Sequence, residues 1–233
     1  MSELLELQKA IKKSSNKKKA DVLQRFFKTG KGQYGEGDVF VGIVVPVQRI
    51  IAKTYQNLAL LDIQKLLDSK IHEERLIALL ILVFQFQEVD LKKRRIVFDF
   101  YLKNTKNINN WDLVDLTAPN IVGQYLLNKD RKILYKLARS KDLWKKRIAI
   151  ISTFTFIKNN QFEDTLAIAG ILLNDKHDLI QKAVGWMLRE VGKRNLGIEE
   201  EFLQKYYQKM PRTMLRYAIE KFSEKKRKYY LMK

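Results

Sequence analysis

The segment IQKAVGWMLREVGK, residues 180–193, places a tryptophan among cations. Read at helical spacing, six of its residues form one apolar stripe, which predicts a helix packed on a core. Trp186 falls off that stripe, on the face that carries Lys182, Arg189 and Lys193. Bases and sugars present apolar faces, so a tryptophan beside cations favours contact with a nucleic acid. The stripe consists of Ile180, Ala183, Val184, Met187, Leu188 and Val191.

A second tryptophan, Trp111, lies four residues before the carboxylate of Asp115. At that spacing two side chains share one face of a helix. We expect this face to lie opposite Leu113 and Leu116, which should point into the core. Asp112 points to a different face from Asp115, so a two-metal site is not expected. On spacing alone, a surface salt bridge is the alternative role for Asp115, and core packing is the alternative for the tryptophans.

Other motifs argue against cofactor and metal chemistry. GKGQYG, residues 30–35, matches GxGxxG, but it follows a helical-looking segment and does not open a helix. We therefore interpret it as a flexible loop and not a dinucleotide site, and keep its Lys31 as a phosphate contact. His72 and His177 lie far apart near turns, so neither a histidine metal site nor a histidine-driven nucleophile is expected. Cysteine is absent, which suits a reducing cytoplasm.

The elements that must position these residues are helices in a repeating order. Similar segments begin at positions 74, 110, 146 and 181, about 36 residues apart, and another follows from 212. Each is preceded by a second helix-length segment, and this period is typical of an α-solenoid. Extended character is confined to VFVGIVVP, residues 39–46. We therefore predict an all-α fold in one domain, residues 1–233.

Two sets of equivalent positions follow from this repeat, one helical turn apart. A carboxylate, an arginine and two tryptophans are then expected on the same surface of three adjacent repeats. For the arginine, the alternative is a structural ion pair near a helix end. The first set is Trp111, Arg147 and Lys182, and the second is Asp115, Ile151 and Trp186.

The charge of the chain narrows the class of partner. Lys and Arg number 45 against 26 Asp and Glu, a formal charge of +19. This excess favours a polyanion, with nucleic acid ahead of an anionic membrane surface. A general lysine bias in composition is the alternative. The N-terminus has the pattern of an amphipathic helix and not of a signal peptide, and the longest apolar run, residues 76–84, is too short to span a bilayer.

Three segments resemble the AlkD family of bacterial DNA alkylation repair proteins: NWDLVD, LWKKRIAI and IQKAVGWMLREVGKRN. VPVQR, residues 45–49, is also similar to the family's Pro-x-x-Arg segment. The resemblance covers roughly residues 20–220, and the motif at 180–195 is its most specific part. It implies a HEAT-like α-solenoid with a concave basic face around duplex DNA. It also implies DNA N-glycosylase activity on positively charged bases such as 7-methylguanine and 3-methyladenine.

Residue by residue, the resemblance assigns Trp111 and Trp186 to the active-site aromatics, Asp115 to the catalytic carboxylate and Arg147 to DNA contact. Asn110 departs from the family, in which a second tryptophan often stands at that position, and the glycine-rich loop GKGQYGEGD, residues 30–38, looks like a feature of a sub-branch. A charged N-alkylated purine leaves as a neutral base, so little general-acid help is needed, which fits a site without histidine. Asp115 is expected to stabilise the oxocarbenium ion of the sugar.

The resemblance also sets the expected partners. Trp111 and Trp186 are expected to pack against the sugar and backbone around the lesion, and Arg147, Lys182, Arg189 and Lys193 to hold phosphates. We expect a monomer that binds duplex DNA carrying alkylated bases, without cofactor, metal or membrane, in the bacterial cytoplasm at the nucleoid. The main alternative is a non-catalytic HEAT-repeat protein that binds nucleic acid or serves as a scaffold. Recognition of single-stranded RNA, one base per repeat, is disfavoured because equivalent positions carry different side chains.

Overall fold

The computed structural model describes residues 2–232, which form helices joined by short connections. The predicted all-α fold class is confirmed. Within residues 2–232, the extended chain forms one isolated parallel β-bridge, between Val39 and Ile71. The helices group into two compact units, one ending at Thr117 and the other beginning at Ala118. Between residues 2 and 232, no helix combines the length and apolar character needed to cross a bilayer.

The first unit contains seven helices within its described residues and is built around the fifth of them. The helices are α1 Glu3–Ser14, α2 Lys17–Phe26, α3 Val45–Thr54, α4 Leu60–Leu67, α5 His72–Glu88, α6 Leu91–Lys103 and α7 Trp111–Asp115, with a 3₁₀ turn at Thr105–Asn107. Helix α5 packs against α3, α4, α6 and α7. Its residues from His72 to Val83 are all buried, and from Leu76 onward this is expected for a helix that is apolar all round.

An extended segment, residues 39–44, runs between the glycine-rich loop and α3, as predicted from its apolar sequence. The buried Glu73 of α5 holds it, because its carboxylate accepts the N–H groups of Val41, Gly42 and Ile43 at 2.8 to 3.2 Å. Gly42 has a φ of +86°, and a Cβ there would lie 2.1 Å from the backbone oxygen of Asn16. Only glycine fits this turn, which directs three donors at one carboxylate.

The second unit contains the remaining helices. They are α8 Gln124–Leu126, α9 Lys132–Ala138, α10 Leu143–Ser152, α11 Phe154–Lys158, α12 Glu163–Ile171, α13 Asp178–Arg194, α14 Leu196–Tyr206, α15 Arg212–Ala218 and α16 Glu224–Leu231, with a π turn at Pro119–Gly123 and a 3₁₀ turn at Ile219–Lys221. The pairs α9–α10, α12–α13 and α14–α15 follow one another, and their second helices pack in the order α10, α13, α15. Each pair corresponds to one predicted repeat.

The core stripe predicted for residues 180–193 is confirmed. All six stripe residues of α13 are buried, whereas Trp186 is half-buried. His177 caps the N-terminus of the helix, where its ring nitrogen Nδ1 accepts the N–H of Leu179 at 3.2 Å, and Asn195 caps the C-terminus. Its backbone approaches α15 closely at Gly185, where a Cβ would lie 2.3 Å from the Met214 oxygen. The stripe therefore faces the neighbouring helices of the second unit.

Candidate active site

Helix α7 places Trp111 at its first residue and Asp115 at its last. The helix starts because the side-chain oxygen of Asn110 accepts the N–H of Trp111 at 2.8 Å, and the Asp112 carboxylate accepts the N–H of Leu113 at 2.9 Å. The two predicted catalytic residues are thus one turn apart on a short, well-capped helix. Asn110, which departs from the family pattern, is buried and serves as the cap of this helix.

Trp111 and Asp115 both line a cavity of about 390 Å³ in the first unit. Its walls come from α2, the extended segment, α3, the first residue of α5 and α7. The side chains of Trp111 and Asp115 are half-buried. Leu113 is buried as predicted, but the prediction for Leu116 is wrong, because it is half-buried and lines this cavity. Leu116 caps the C-terminus of α7, so it lies beyond the regular turn on which the helical wheel was based.

Aromatic rings stack along one side of this cavity. The ring of Trp111 stacks on Phe27, with centroids 5.1 Å apart and an interplanar angle of 15°. Phe27 stacks in turn on Phe40 at 4.8 Å, and Phe40 on His72 at 4.4 Å. Phe26 meets Trp111 edge to face at 6.0 Å. The orientation of Trp111 is therefore set by a packed series of rings, and Phe27 covers one face of its indole.

His72 lies at the inner end of this stack, between two buried carboxylates. Its Nδ1 is 3.1 Å from Asp38 Oδ2, and its Nε2 is 2.8 Å from Asp112 Oδ2. Both ring nitrogens face acceptors, and only the protonated imidazole donates from both. Asp38 also accepts from Arg75 at 2.7 Å and from Asn110 at 3.3 Å. We call these five residues the His72 network, and it joins the end of the glycine-rich loop to α5 and α7.

The His72 network corrects one prediction. From the sequence we expect a site without histidine, yet His72 lines the same cavity as Trp111 and Asp115. The flexibility of residues 30–35 stays a prediction, but Asp38, the last residue of the glycine-rich loop, is buried and contacts four polar side chains. The partners of His72 and Asp38 are 34 to 72 residues apart in the chain, so no local pattern indicates them.

The charges of the network shift the pKa of His72. Burial of the imidazole by itself lowers the pKa, but the Asp112 carboxylate and the hydrogen bonds to Asp112 and Asp38 outweigh burial and raise the pKa to about 9. For Asp38, burial acts to raise the pKa, but His72 and Arg75 outweigh it and hold the pKa below its usual range. The His72 network thus contains two cations, His72 and Arg75, and two carboxylates, Asp38 and Asp112, whose charges compensate one another.

The raised pKa of His72 predicts that stability falls as the pH rises from about 6.5 to about 9. Below this window both the folded and the unfolded chain hold the proton, and the contribution of the charged imidazole is fully present. Within it the unfolded chain releases the proton while the folded chain keeps it, which costs about 1.4 kcal/mol per pH unit, or roughly 3 kcal/mol in total. Urea denaturation at several pH values from 6 to 9 measures this slope.

The contribution of His72 is measured in a variant that lacks a second group titrating in the same pH range. Burial raises the pKa of Glu199, in the second unit, to about 8, so Glu199 titrates in an overlapping window and also lowers stability as the pH rises. The slope is therefore compared between Glu199→Gln and the double variant Glu199→Gln/His72→Gln. We expect the fall to be markedly smaller in the double variant. Equal slopes would show that folding does not raise the pKa of His72.

Trp186, the tryptophan on α13, has a different environment from Trp111. Its indole N–H donates to Glu190 at 3.1 Å, and its ring lies 6.0 Å from that of Phe154. The same Glu190 oxygen accepts from Lys193 at 2.7 Å. Glu190, the hydrogen-bond partner of Trp186, also pairs with two of the cations predicted on this face, Lys193 and Arg189.

The predicted phosphate contacts fall into two groups in the structure. Arg147 is buried, with 5% of its surface exposed, and donates to the backbone oxygen of Leu179 at 2.5 Å. Arg189 is paired with Glu220, and Lys182 with Asp178. By contrast, Lys193 is exposed beside Glu190, and Lys31 is exposed in the glycine-rich loop. The roles of all five in DNA binding stay predictions, and the exposed pair is the more accessible to a phosphate.

Comparisons with known proteins agree on one family. A family model described as DNA alkylation repair enzyme matches residues 7–222. The fold is similar to that of a predicted DNA alkylation repair enzyme from Enterococcus faecalis, with a TM-score of 0.69 and 16% identity over 91% of this chain and 98% of that chain. No curated relative matches the chain. At this identity the structural similarity supports the fold, and the family model supports membership.

Proposed function

The chain belongs to the DNA alkylation repair enzyme family, and from that premise we propose that it is a DNA N-glycosylase. Its substrates are duplex DNA with positively charged N3- or N7-alkylated purines, such as 3-methyladenine and 7-methylguanine. The observation that carries this proposal is the shared position of Trp111 and Asp115 on the wall of one cavity. A carboxylate and an aromatic face suit a reaction in which positive charge develops on a sugar.

The proposed reaction breaks the bond between C1′ of the deoxyribose and the purine nitrogen. The electron pair of this bond passes to the purine, which neutralises its charge and lets it leave as a neutral base. The sugar becomes an oxocarbenium ion, which the Asp115 carboxylate stabilises electrostatically. Water then adds to C1′ and loses a proton, and the product is an abasic site. Because the leaving group is already cationic, no general acid is required.

The remaining residues are proposed to hold the DNA. Trp111 packs against the sugar and adds cation–π stabilisation as the sugar becomes cationic. Trp186, on α13 of the second unit, is proposed to pack against the DNA backbone. Its neighbours include cations that suit phosphates, and contacts of this kind position the duplex without reading its sequence. The proposed phosphate contacts are Arg147, Lys182, Arg189, Lys193 and Lys31.

Base excision is the direct test of this proposal. The protein is incubated with a duplex that carries a single 7-methylguanine, and free base and abasic sites are quantified against an unmodified duplex. We expect release of 7-methylguanine and no release of guanine. Tight binding of both duplexes without release of any base would instead support the non-catalytic DNA-binding alternative.

A further inference from the structure

A recess of about 460 Å³ lies in the second unit, between α13, α15 and α16. Its walls carry three cations, one carboxylate and two hydroxyl groups, and we call it the basic recess. Of these side chains, the phosphate contacts proposed above include only Lys182. The lining residues are Lys182, Thr213, Arg216, Tyr217, Glu220 and Arg227.

The carboxylate of the basic recess, Glu220, already has partners. It pairs with Arg189 of α13 and, at 3.4 Å, with Lys221. Lys182 is paired as well, because its Nζ lies 2.8 Å from the Asp178 carboxylate. These ion pairs neutralise the two acids, so the acids do not offset the charge of the other cations in the recess.

Arg216 and Arg227 supply that remaining charge. Both are exposed, and neither guanidinium makes a hydrogen bond or an ion pair with residues 2–232. Two like charges on one recess repel each other unless an anion lies between them. A guanidinium presents its N–H groups as a planar fork that matches two oxygens of a phosphate. The hydroxyls of Thr213 and Tyr217 line the same recess and can donate to further phosphate oxygens.

Close packing of α13 on α15 fixes the shape of the basic recess. At Gly185 of α13, a Cβ would lie 2.3 Å from the Met214 backbone oxygen and 2.6 Å from the Tyr217 Cβ. The two helices therefore approach each other as closely as a glycine allows. Tyr217 is held against α13 one turn from Lys182, so this part of the wall is formed before any ligand binds.

Helix α16, which carries Arg227, closes the third side of the basic recess. Its Tyr230 is buried and packs edge to face against Tyr207 and Phe222. The match to the family model ends at residue 222, before α16 begins. The recess therefore includes a wall that the family match does not cover.

We infer that the basic recess binds one phosphate of the DNA backbone and fixes the position of the strand along α13. The inference rests on the proposed function, because duplex DNA is the ligand. Lys182 and Trp186 are four residues apart on α13, which places their Cβ atoms on one face about 5–6 Å apart. A phosphate between Arg216 and Arg227 thus lies near the indole. DNA supplies both parts, a phosphate for the guanidinium groups and an apolar sugar face for the indole.

Two double variants with the same loss of charge test this inference. Arg216→Gln/Arg227→Gln removes the cations of the recess. Lys209→Gln/Lys225→Gln is the control, because Lys209 and Lys225 are exposed cations of the second unit that do not line the recess. Anisotropy titrations with an unmodified duplex at several salt concentrations measure the affinity. We expect the recess variant to bind at least about 10-fold more weakly than the control, with a salt slope smaller by about 0.9. Equal affinities would overturn the inference.

A charge-conserving variant separates the guanidinium fork from its charge. Arg216→Lys/Arg227→Lys keeps both cations but loses the two-oxygen contact. We expect it to bind the duplex several-fold more weakly than wild type while it keeps the wild-type melting temperature, because both residues are exposed. Wild-type affinity in this folded variant would overturn the phosphate contact and leave only a general attraction between charges.

Other sources of phosphate are measured with the same variants. Vesicles of phosphatidylglycerol and phosphatidylcholine test a membrane surface, and inorganic phosphate tests a free ligand. We expect the recess variant to differ from its control most in its affinity for the duplex. A difference for vesicles or inorganic phosphate, with equal affinities for the duplex, would overturn the assignment to DNA.

These titrations need no base release, so they are independent of the glycosylase assay. Weaker duplex binding by the recess variant, in a protein that releases no 7-methylguanine, would support the basic recess and overturn the glycosylase function. Equal duplex affinities of the two double variants, together with normal release of 7-methylguanine by wild type, would overturn the basic recess and leave the glycosylase function standing.

Discussion

Replacement of Asp115 by Asn is expected to abolish most base excision while leaving the fold and duplex binding intact. The change removes a negative charge and almost no volume. If Asp115 stabilises the oxocarbenium ion, the loss falls on the transition state and lowers the excision rate by about 10²–10³-fold, as for other preorganised electrostatic groups. Single-turnover release of 7-methylguanine measures the rate, and a filter-binding or anisotropy titration measures the affinity for DNA.

Asp112→Asn, on the same helix, is the matched control for this prediction. Asp112 pairs with His72 at 2.8 Å and caps Leu113, so its charge supports the fold. We expect this variant to lower the melting temperature, because it weakens a buried ion pair, whereas Asp115→Asn should leave that temperature within a few degrees of wild type. An Asp115→Asn enzyme that excises within about twofold of the wild-type rate would remove Asp115 from the mechanism.

The largest effect on stability is expected at Leu188, in the core stripe of α13. The residue is fully buried, so Leu188→Ala removes apolar contacts and leaves a cavity. We expect a loss of about 2–5 kcal/mol in the free energy of unfolding. Trp186, two residues earlier on the same helix, is half-buried and donates one hydrogen bond. Trp186→Ala should cost only about 1 kcal/mol, the typical value of one hydrogen bond, but slow excision.

The pair separates a core role from a DNA-contacting role on one helix. Urea denaturation gives the stability of both variants, and excision per folded molecule gives their activity. Because the two sites share α13, any general effect on helix formation is common to both. A large loss of stability for Trp186→Ala, with normal activity per folded molecule, would mean that Trp186 is a packing residue. Its proposed contact with the DNA backbone would then be withdrawn.

Much of the local architecture follows from helical periodicity in the sequence and requires no knowledge of tertiary contacts. The apolar stripe of α13, the burial of α5 and the extended segment at 39–44 follow from spacing and composition over ten to twenty residues. These features are predictable because backbone hydrogen bonding and burial of one face act between close neighbours in sequence. The positions of Trp111 and Asp115 on one face of one helix follow in the same way. Their assignment to a catalytic site came from the family resemblance.

The tertiary structure alone decided which polar groups surround that site. His72 lies between Asp38 and Asp112. In the second unit, Arg147 is buried and donates to the Leu179 oxygen, a contact that the family resemblance, which assigns Arg147 to DNA, does not indicate. In each case the partner is brought close by the packing of a different helix or loop. A buried polar group requires a hydrogen-bond partner, and any part of the fold can supply it. Because such partners are distant in the chain, spacing in the sequence carries no record of them.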